Sequence, residues 1–451
     1  MSASKLVFLV HAPQRGATIE NEMGRADYSY YFVMRHFVPL LERLGQVEQI
    51  DDPATQADPR HDQITANGGQ AVLLLFMPPH RVPTGIRCPT LPVFAWEYST
   101  IPNESWGADP RQNWAEVLRS LRGSITHSQF ALAAVRAALG QEHASCSLPA
   151  PVWDAFLGRG APGSLPRLDE WYLDVDGVVL DSRSLALERQ GDAASPSFTK
   201  SPCRVSLSGV VYTSVFNPND QRKNWHDLLT AFVWAFRDEP QATLLLKLVH
   251  HDAAFACGMV LHEMRKLAPY QCRVVALHGF LDDGNYARMV RGTHFVVNSS
   301  RGEGQCLPLM EFMSAGKPAV APAHTAMTEY VSPRNSFVVR ATPEWSHWPH
   351  DPRMVMRCHR YRIDWESLRD AYLASWHLAQ QQPRHYAAMS RNASKALARY
   401  CASEVVVANL HDYLRGIGFA PAALPVVTRI RHRIARMRNL AMRALRGLRS
   451  T

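Results

Sequence analysis

The sequence lacks the long apolar runs of membrane-spanning proteins and the paired cysteines of disulfide-linked or zinc-binding ones. No uninterrupted apolar stretch approaches the roughly 20 residues that a transmembrane helix needs. The apolar run Leu6–Val10 is short, which favours a first β-strand over a signal peptide. The eight cysteines are scattered without a CxxC pair. A disulfide framework or zinc site is therefore not expected, and a reducing compartment is favoured.

What is present is the composition of a soluble globular protein. Hydrophobic residues make up 46% of the 451 residues and charged residues 20%, which suits two domains with ample core. The net charge of +9 would suggest nucleic-acid binding if it were spread over the protein, but it is concentrated in one segment. Eight arginines and no acid lie in the last stretch, Pro425–Thr451. Because the remainder is nearly neutral, a basic groove across the body, and with it a nucleic-acid partner, is not expected.

The most informative stretch is Asn298–Val320, whose residues predict strand, turn, helix, turn and strand. Gly302 and Gly304 permit a tight turn that leaves backbone amides free. Pro308 suits the first turn of a helix, and Gly316 suits its C-terminal cap. A helix N-terminus with free amides is a ready site for an anion.

Two carboxylates, Glu303 and Glu311, lie eight residues apart in this stretch, one in the turn and one in the helix. On the residues alone they are either site groups or solvated acids of an ordinary βαβ turn. The wider pattern, however, resembles the donor-binding segment of retaining GT-B glycosyltransferases, the family-4-like group (glycosyl transferases group 1). The residues that match this pattern in register are Ser300, Glu303, Gly304, Pro308, Glu311, Gly316 and Pro318.

The resemblance implies roles for these residues. Glu311 would bind the ribose hydroxyls of a nucleotide-sugar, and Glu303 would lie against the donor sugar. Backbone amides from Gln305 to Leu307 would meet the diphosphate. The donor-binding residues implied in this segment are Ser300, Gly304, Gln305, Cys306, Leu307 and Glu311. No metal or other cofactor is expected, because cationic side chains and helix amides would stabilise the departing diphosphate.

A basic turn precedes this segment, between a predicted strand at Val210–Phe216 and a predicted helix at Asp227–Phe236. Arg222 and Lys223 oppose the helix dipole there, so they fit best if an anion binds between them and the helix amides. A solvated basic turn is the alternative. The resemblance implies that Lys223 meets the diphosphate and that Arg222 substitutes for an arginine further upstream. Asn224 stands where the family has glycine.

Two more donor-side candidates lie in predicted strands of the same region. Lys247 lies in the apolar strand Ala242–Val249, where an unpaired buried lysine is costly. It therefore either reaches the diphosphate or pairs with an acid. The resemblance also places the nucleotide base against the backbone at Ala276–Gly279, which makes Gly279 a candidate.

The first half of the chain offers candidates for the acceptor side. The predicted strand Pro92–Glu97 places Glu97 at its carboxyl end, where ligands bind in open α/β sheets. Glu97 is therefore a candidate catalytic residue, together with Glu303, Lys223 and Arg222 of the donor side; capping of the next helix is the alternative for Glu97. The remaining acceptor-side candidates are Arg15, Gly16, Trp96 and His127. An ordinary loop and a buried, satisfied histidine are the alternatives for Arg15, Gly16 and His127.

Three local patterns give further expectations. The sequence Asp174-x-Asp176-Gly177 matches the DxD metal site of GT-A transferases and the DxDG of haloacid-dehalogenase-like phosphatases. Because its flanks alternate, we predict instead a hairpin with a two-residue Asp-Gly turn. Pro39 is expected to kink or split a helix over residues 28–44. A polar, mobile loop is expected at Gln190–Thr199.

The tail at 425–451 spaces apolar residues at helical intervals, with arginines on the other face. This predicts a basic amphipathic helix that binds an anionic membrane surface; a disordered tail and a nucleic-acid arm are the alternatives.

The resemblance implies a fold of two Rossmann-like α/β domains facing a cleft. The expected parts are an acceptor domain at 1–150, a connector at 151–203, a nucleotide-sugar domain at 204–375, C-terminal helices crossing back at 376–418 and the basic tail at 419–451. The expected activity is transfer of a hexose or deoxyhexose, with retention, from a nucleotide-sugar to a glycan or lipid-linked glycan. Cell-surface polysaccharide assembly at the cytoplasmic face of the membrane is the expected setting. The alternatives are another GT-B enzyme, such as a nucleotide-sugar epimerase, and a catalytically idle scaffold.

Overall fold

The computed structural model describes residues 6–14, 16–25, 27–185, 187 and 198–425. These residues form two α/β domains on sheets of six and eight strands, with a separate two-stranded hairpin. None of the helices within these ranges is long and apolar enough to cross a membrane. The predictions for Arg15, for most of the polar loop at 190–199 and for nearly all of the tail at 425–451 concern residues outside this description.

The first domain is built on a wholly parallel sheet. Its strands are β1 Leu6–His11, β2 Gln46–Gln49, β3 Gln70–Leu75, β4 Thr90–Phe94, β5 Ser124–Thr126 and β6 Ser145–Ser147. Its helices are α1 Tyr28–Glu42, α2 Pro53–Ala66, α3 Trp114–Arg119 and α4 Gln129–Leu139. The strand order is β2-β1-β3-β4-β5-β6. The strands β1, β3 and β4 are apolar runs buried along nearly their whole length, as expected when helices cover both faces of a parallel sheet.

The second domain follows a short helix, α5 Trp153–Leu157. Its strands are β7 Trp171–Asp181, β8 Ser201–Leu207, β9 Val210–Phe216, β10 Ala242–Leu248, β11 Arg273–His278, β12 Phe295–Val297, β13 Ala319–Pro322 and β14 Ser336–Val339. Its helices are α6 Trp225–Phe236, α7 Ala253–Leu267, α8 Asp283–Gly292, α9 Leu307–Ser314 and α10 Trp365–Gln381. The strand order is β14-β13-β12-β9-β10-β11-β7-β8. Among the described strands of this sheet, β7 runs antiparallel to both of its neighbours, β11 and β8, and the other pairs are parallel.

The predicted turn at Asp176-Gly177 is wrong, because both residues lie inside the continuous strand β7. The first part of β7 pairs with β8, and its last part pairs with β11. A Cβ on Gly177 would lie 2.0 Å from the carbonyl oxygen of His278. Glycine is therefore required here by the close approach of β11, and not by a turn.

Pro39 does not split α1, which continues to Glu42. The proline lies in the last turn, so its missing amide removes a hydrogen bond only near the end of the helix. The last two helices are α11 Pro383–Cys401 and α12 Ser403–Gly416. The helix α12 contacts α1 of the first domain, and the Tyr413 hydroxyl donates to the carbonyl of Ala144 (2.8 Å).

A hairpin that the sequence analysis did not predict extends from the second domain, with strands β15 Ala341–His347 and β16 Arg357–Ile363. We call residues 341–363 the arm. Its Trp348 lies among tryptophans of the first domain, with ring centroids 5.6 Å from Trp96 and 5.9 Å from Trp114. The arm therefore contacts both domains.

Candidate functional site

The stretch singled out by the sequence forms the predicted strand, turn and helix, as β12, a loop at 298–306 and α9. Pro308 is the second residue of α9, where its missing amide costs no hydrogen bond. Gly316 follows the helix with φ +83°, a conformation that glycine adopts readily. We call residues 298–306 the donor loop. It lies at the carboxyl end of β12, the usual ligand-binding edge of an open α/β sheet.

The glycines of the donor loop serve a different purpose from the one expected. Neither Gly302 nor Gly304 has a positive φ; the left-handed residue is Cys306, at φ +61°. A Cβ on Gly304 would lie 2.9 Å from the Cβ of Ala95 and 3.0 Å from the backbone nitrogen of Trp96. The two glycines therefore let the donor loop pack against the first domain.

Glu303 is almost fully buried and is held by four donors. Its Oε1 accepts from Lys223 Nζ (2.8 Å), from Ser300 Oγ (2.6 Å) and, at 3.4 Å, from Asn298 Nδ2. Its Oε2 accepts from Arg222 Nη1 (3.1 Å). Burial raises the pKa of Glu303, but the adjacent cations and hydrogen bonds outweigh burial and hold this pKa well below its usual range. The carboxylate is therefore ionised at neutral pH.

Arg222 connects the two sides of the cleft. Its Nη2 donates to Asp220 (2.8 Å) and its Nη1 to the carbonyl of Gly302 (2.6 Å), both in the second domain. Its Nε lies 3.1 Å from Oε1 of Glu97, in the first domain. Burial lowers the pKa of Arg222, but the surrounding carboxylates raise this pKa by more than burial lowers it, so the net shift is upward. The guanidinium thus acts as a fixed cation whose donors are largely in use.

Lys223 uses fewer of its hydrogen-bond donors within the protein than Arg222 does. Its ammonium group has three donors, of which Glu303 takes one (2.8 Å). About a fifth of its side chain, 19%, is exposed. Lys223 is therefore the better placed of the two cations to contact an anionic ligand.

Glu97 lies in the loop after β4, because this strand ends at Phe94. Burial raises the pKa of Glu97; Arg222 lowers it, and the nearby carboxylates of Asp220 and Glu303 raise it again. The structure therefore brings together two cations and three acids at one point between the domains. All four residues that the sequence proposed as catalytic, Glu97, Arg222, Lys223 and Glu303, are in this cluster.

Glu311 lies inside α9 in a different environment. Its Oε2 accepts a hydrogen bond of 2.5 Å from the hydroxyl of Tyr286 on α8. Burial raises the pKa of Glu311 to about 7; the tyrosine bond and the charge of Arg159 lower it, but by less. The Arg159 guanidinium lies 4.5 Å above the ring of Phe156. Glu311 is thus a carboxyl group close to half-ionised at neutral pH, facing aromatic and cationic neighbours.

Lys247 is buried at the end of β10 beside Met23 of the first domain (Nζ to Sδ, 4.0 Å). Its Nζ donates to the carbonyl of Leu248 (2.9 Å). In the described part of the chain no carboxylate pairs with it, so the expected alternative of an acid partner is not supported. Burial lowers the pKa of Lys247 to about 7.

The other donor-side candidates lie around the loop. Gln305 is buried, accepting from the amide of Ala150 through Oε1 (3.0 Å) and from the Tyr330 hydroxyl through its carbonyl (2.8 Å). Within the described chain, the amides of Gln305, Cys306 and Leu307 donate to no backbone acceptor. Gly279 follows β11, and a Cβ there would lie 2.7 Å from the carbonyl oxygen of Asp176.

Three of the acceptor-side candidates, Trp96, His127 and Gly16, lie in the described part of the chain. Trp96 is buried, with its indole nitrogen donating to Thr100 O (2.9 Å). His127 is buried, its Nδ1 is 2.9 Å from Leu148 O, and burial lowers its pKa to about 4. Gly16 is exposed, and a Cβ there would meet the Tyr31 hydroxyl at 2.5 Å. The geometry of Trp96 and His127 is that of core residues.

Several site residues carried no signal in the sequence. Asp220 and Asn298 join the Glu303 cluster, and Tyr286 and Arg159 surround Glu311. Thr325 accepts from the amide of Glu303 (3.0 Å). Asp220 was recognisable as an acid two residues before Arg222, and Asn298 opens the stretch that the sequence analysis singled out. Arg159, Tyr286 and Thr325 lie far from the carboxylates in sequence.

The acids of the DxD-like pattern are paired with basic side chains. Asp174 accepts from Arg204 (2.8 Å) and from Arg288 (3.1 Å), and Asp176 lies 3.1 Å from Lys200 Nζ. In the described residues no cluster of three or more acids, histidines or cysteines could hold a metal ion.

Comparisons with known proteins agree with this geometry. Residues 209–346 match the sequence profile described as Glycosyl transferases group 1. A glycosyltransferase from Rickettsia africae is 9% identical with a TM-score of 0.54, covering 92% of this chain and 99% of its own. HepE from Anabaena, in complex with UDP, is 14% identical with a TM-score of 0.51, covering 91% and 100%. No curated protein sequence matches significantly.

TarM from S. aureus, in complex with UDP and α-GlcNAc-glycerol, is 10% identical with a TM-score of 0.47 and covers 77% of this chain. This chain spans only 55% of the length of TarM. The fold is the GT-B fold predicted from the sequence. The segment of the second domain that matches the glycosyl transferases group 1 profile includes Arg222, Lys223, Glu303 and Glu311.

Proposed function

We propose that this protein transfers a sugar from a nucleotide-sugar donor to a glycan or lipid-linked glycan acceptor, with retention. The observation that carries the proposal is the cluster of Lys223, Arg222 and Glu303 at the sheet edge. It lies within the segment that matches the glycosyl transferases group 1 profile. A buried, ionised carboxylate beside a partly free ammonium group suits a ligand that carries both hydroxyls and phosphates.

In this proposal each group has one role. Lys223 and the free amides at the start of α9 stabilise the diphosphate as it leaves. Glu303 accepts hydrogen bonds from donor-sugar hydroxyls, and Glu311 accepts them from the ribose. Arg222 holds Glu303 and Glu97 in place. Because these fixed cations and amides serve the leaving group, the proposed reaction requires no metal.

The retaining outcome is proposed from the resemblance of the donor segment to retaining GT-B enzymes, and the state of the carboxylates bears on the route by which retention is reached. Glu303 is surrounded by four donors, which lower its nucleophilicity, so a front-face displacement assisted by the leaving phosphate is preferred to a covalent intermediate. Glu97 faces the cluster from the first domain, and its raised pKa suits a group that contacts the acceptor hydroxyl.

The proposed acceptor setting is a cytoplasmic membrane surface, where cell-surface polysaccharide is assembled. Its support is the charge of the segment 425–451, with eight arginines and no acid, since each basic residue near an anionic bilayer contributes about 1 kcal/mol. Salt-sensitive binding of the full chain to anionic vesicles, but not to oligonucleotides, would support this setting. Equal binding to both would contradict it.

The first experiment is thermal stabilisation by a panel of nucleoside diphosphates and nucleotide-sugars, with and without a metal chelator. UDP leads the panel because the HepE complex contains it. We expect a shift with one nucleotide that the chelator does not change. Lys223→Ala should slow transfer from the matching sugar, whereas Lys266→Ala, at an exposed lysine paired with Glu263, should not. Full activity of Lys223→Ala would contradict the site assignment.

Two other functions remain as alternatives to test in the same assay. A nucleotide-sugar epimerase would convert the donor without an acceptor. A catalytically idle scaffold would bind the nucleotide weakly or not at all and would turn over none of the sugars. The presence of Lys223, Glu303 and Glu311 at the positions of the family pattern favours the transferase. A catalytically idle domain would not need the buried, hydrogen-bonded carboxylate of Glu303.

A further inference from the structure

The segment that carries Glu97 is held in place by the arm of the second domain. Trp348, on the arm, is buried against Trp96, the residue before Glu97, with ring centroids 5.6 Å apart in an edge-to-face arrangement. It also contacts Trp106 (5.8 Å) and Trp114 (5.9 Å). Aromatic pairs of this geometry stabilise beyond the area they bury. The backbone at Glu97 is therefore tied to the second domain through its neighbour.

Two hydrogen bonds tie the same segment to the arm on its other side. The amide of His359 donates to Ser99 Oγ (3.0 Å), and Thr100 Oγ1 donates to the carbonyl of Arg357 (2.8 Å). Both arm residues are in β16. Glu97 therefore lies between an aromatic contact at position 96 and polar contacts at positions 99 and 100.

The strand β16 is also bound to the donor loop. The amide of Tyr361 donates to the carbonyl of Arg301 (2.8 Å), two residues before Glu303. One strand thus contacts both the loop that carries Glu97 and the loop that carries Glu303. This strand is therefore a second connection between the two loops, in addition to the side chain of Arg222.

The tip of the arm, between β15 and β16, is stabilised by its own hydrogen bonds. The buried carboxylate of Asp351 accepts from the amides of Arg353 (3.0 Å), Val355 (3.2 Å) and Met356 (2.8 Å). The amide of Trp348 donates to the carbonyl of Met356 (2.9 Å). A tip closed in this way presents Trp348 to the first domain in one fixed position.

We propose that Trp348 is a positioning residue: with β16, it holds the first-domain segment 96–100 so that Glu97 meets Arg222 in the site. The role given to Glu97 rests on the proposed function, but the positioning by the arm does not. Without Trp348, the first-domain segment 96–100 would lose its aromatic contact with the arm. Glu97 would then move away from the cluster while the donor loop kept its own hydrogen bonds.

The first test needs no ligand. Hydrogen exchange of the peptide over residues 95–101 is compared in the full-length chain, in Trp348→Ala and in Trp345→Ala. Trp345 is the matched control, because it lies on the same arm but is 69% exposed, and its ring packs on the ring of His359 within the arm and not on the first-domain tryptophans. We expect exchange to rise about tenfold or more in Trp348→Ala and to stay near the original rate in Trp345→Ala. Trp348→Phe should restore most of the protection.

The second test measures whether removing the Trp348 side chain changes the interactions of Glu97. In a double-mutant cycle, Trp348→Ala and Glu97→Gln should have coupled, non-additive effects on unfolding, whereas Trp345→Ala and Glu97→Gln should be additive. With the donor identified by the nucleotide panel, Trp348→Ala should lower kcat about tenfold and leave KM for the donor near its original value. Its pH–rate profile should resemble that of Glu97→Gln.

Equal exchange in the two tryptophan variants, or additive effects of Trp348→Ala and Glu97→Gln, would overturn the proposal. If Trp348→Ala does not fold, the double variant Ser99→Ala, Thr100→Val removes the two hydrogen bonds to β16 and takes its place in both tests. If Trp348→Ala loses protection at residues 95–101 but the unsubstituted protein transfers none of the sugars tested, the positioning by the arm is supported and the proposed function is contradicted.

Discussion

The two carboxylates of the donor segment, Glu303 and Glu311, lie eight residues apart and yet have opposite electrostatics. Glu303 is buried among two cations and polar donors, which keep its pKa low. Glu311 is buried beside Tyr286, with the cation Arg159 exerting a weaker effect, and its pKa rises to about 7. Burial alone therefore does not decide the charge of a site carboxylate. The partners that the fold brings to it do.

The largest effect is expected from removing the charge of Glu303. Glu303→Gln should lower sugar transfer about 10²- to 10³-fold, because the donor sugar loses a charged acceptor and Lys223 loses its partner. The measurement is kcat/KM for the identified donor. Glu48→Gln is the matched control, since Glu48 also pairs with an arginine, Arg60 (2.6 Å), but far from the site. Equal losses in both variants would show that the effect is general and not due to the site.

The next effect is on stability, with opposite pH dependence for the two residues. The folded pKa of Glu303 lies below its ordinary value of 4.5, so its contribution is present above that pH and is lost as the pH falls. Glu303→Gln should therefore destabilise the protein by about 3 kcal/mol at pH 7 and by less near pH 4. Chemical denaturation at both pH values measures this.

For Glu311 the sign is reversed. Its folded pKa, about 7, lies above the ordinary value of 4.5, so the native state is favoured by protonation and loses stability as the pH rises from about 4.5 through 7. Glu311→Gln should therefore be stabilising at pH 8, by about 1–2 kcal/mol, and nearly neutral at pH 5. A destabilised Glu311→Gln at pH 8 would contradict the assigned environment.

A smaller effect is expected on donor binding. If Glu311 accepts both ribose hydroxyls, only its ionised form binds them fully. Affinity for the nucleoside diphosphate should then increase about tenfold from pH 6 to pH 8, with a midpoint near 7. Calorimetric titration across this range measures it. In Glu311→Gln the affinity should be lower throughout and should lose this midpoint.

The comparison also shows how far the sequence could be interpreted. The strands β9 to β13 and the helix α9 follow from local apolar runs and from proline and glycine positions. The assignment of Glu303 and Lys223 to the donor side came from the family resemblance. The state of Glu311 could not be predicted, because Tyr286 and Arg159 reach its carboxyl group through tertiary packing and no local pattern marks them.

Three further features were missed for the same physical reason. The Asp176-Gly177 turn was inferred from local propensity, but pairing with β8 and β11 extends the strand through it. The arm was not predicted because its stabilising contact, Trp348 with the first-domain tryptophans, joins residues more than 200 positions apart. Close approach at Gly304 likewise depends on the position of the first domain.

The smallest effect should come from the partner of Glu311. Tyr286→Phe removes the 2.5 Å hydrogen bond that stabilises the ionised carboxylate, so the pKa of Glu311 should rise further. The midpoint of the pH dependence of nucleotide binding should move upward by about half a unit to one unit, with little change in affinity at high pH. Tyr270→Phe, at a tyrosine remote from Glu311 whose own pKa is raised by burial, should leave the midpoint unchanged. A downward shift in Tyr286→Phe would mean that the tyrosine stabilises the protonated carboxyl and adds to the effect of burial, which would contradict the direction assigned to this hydrogen bond.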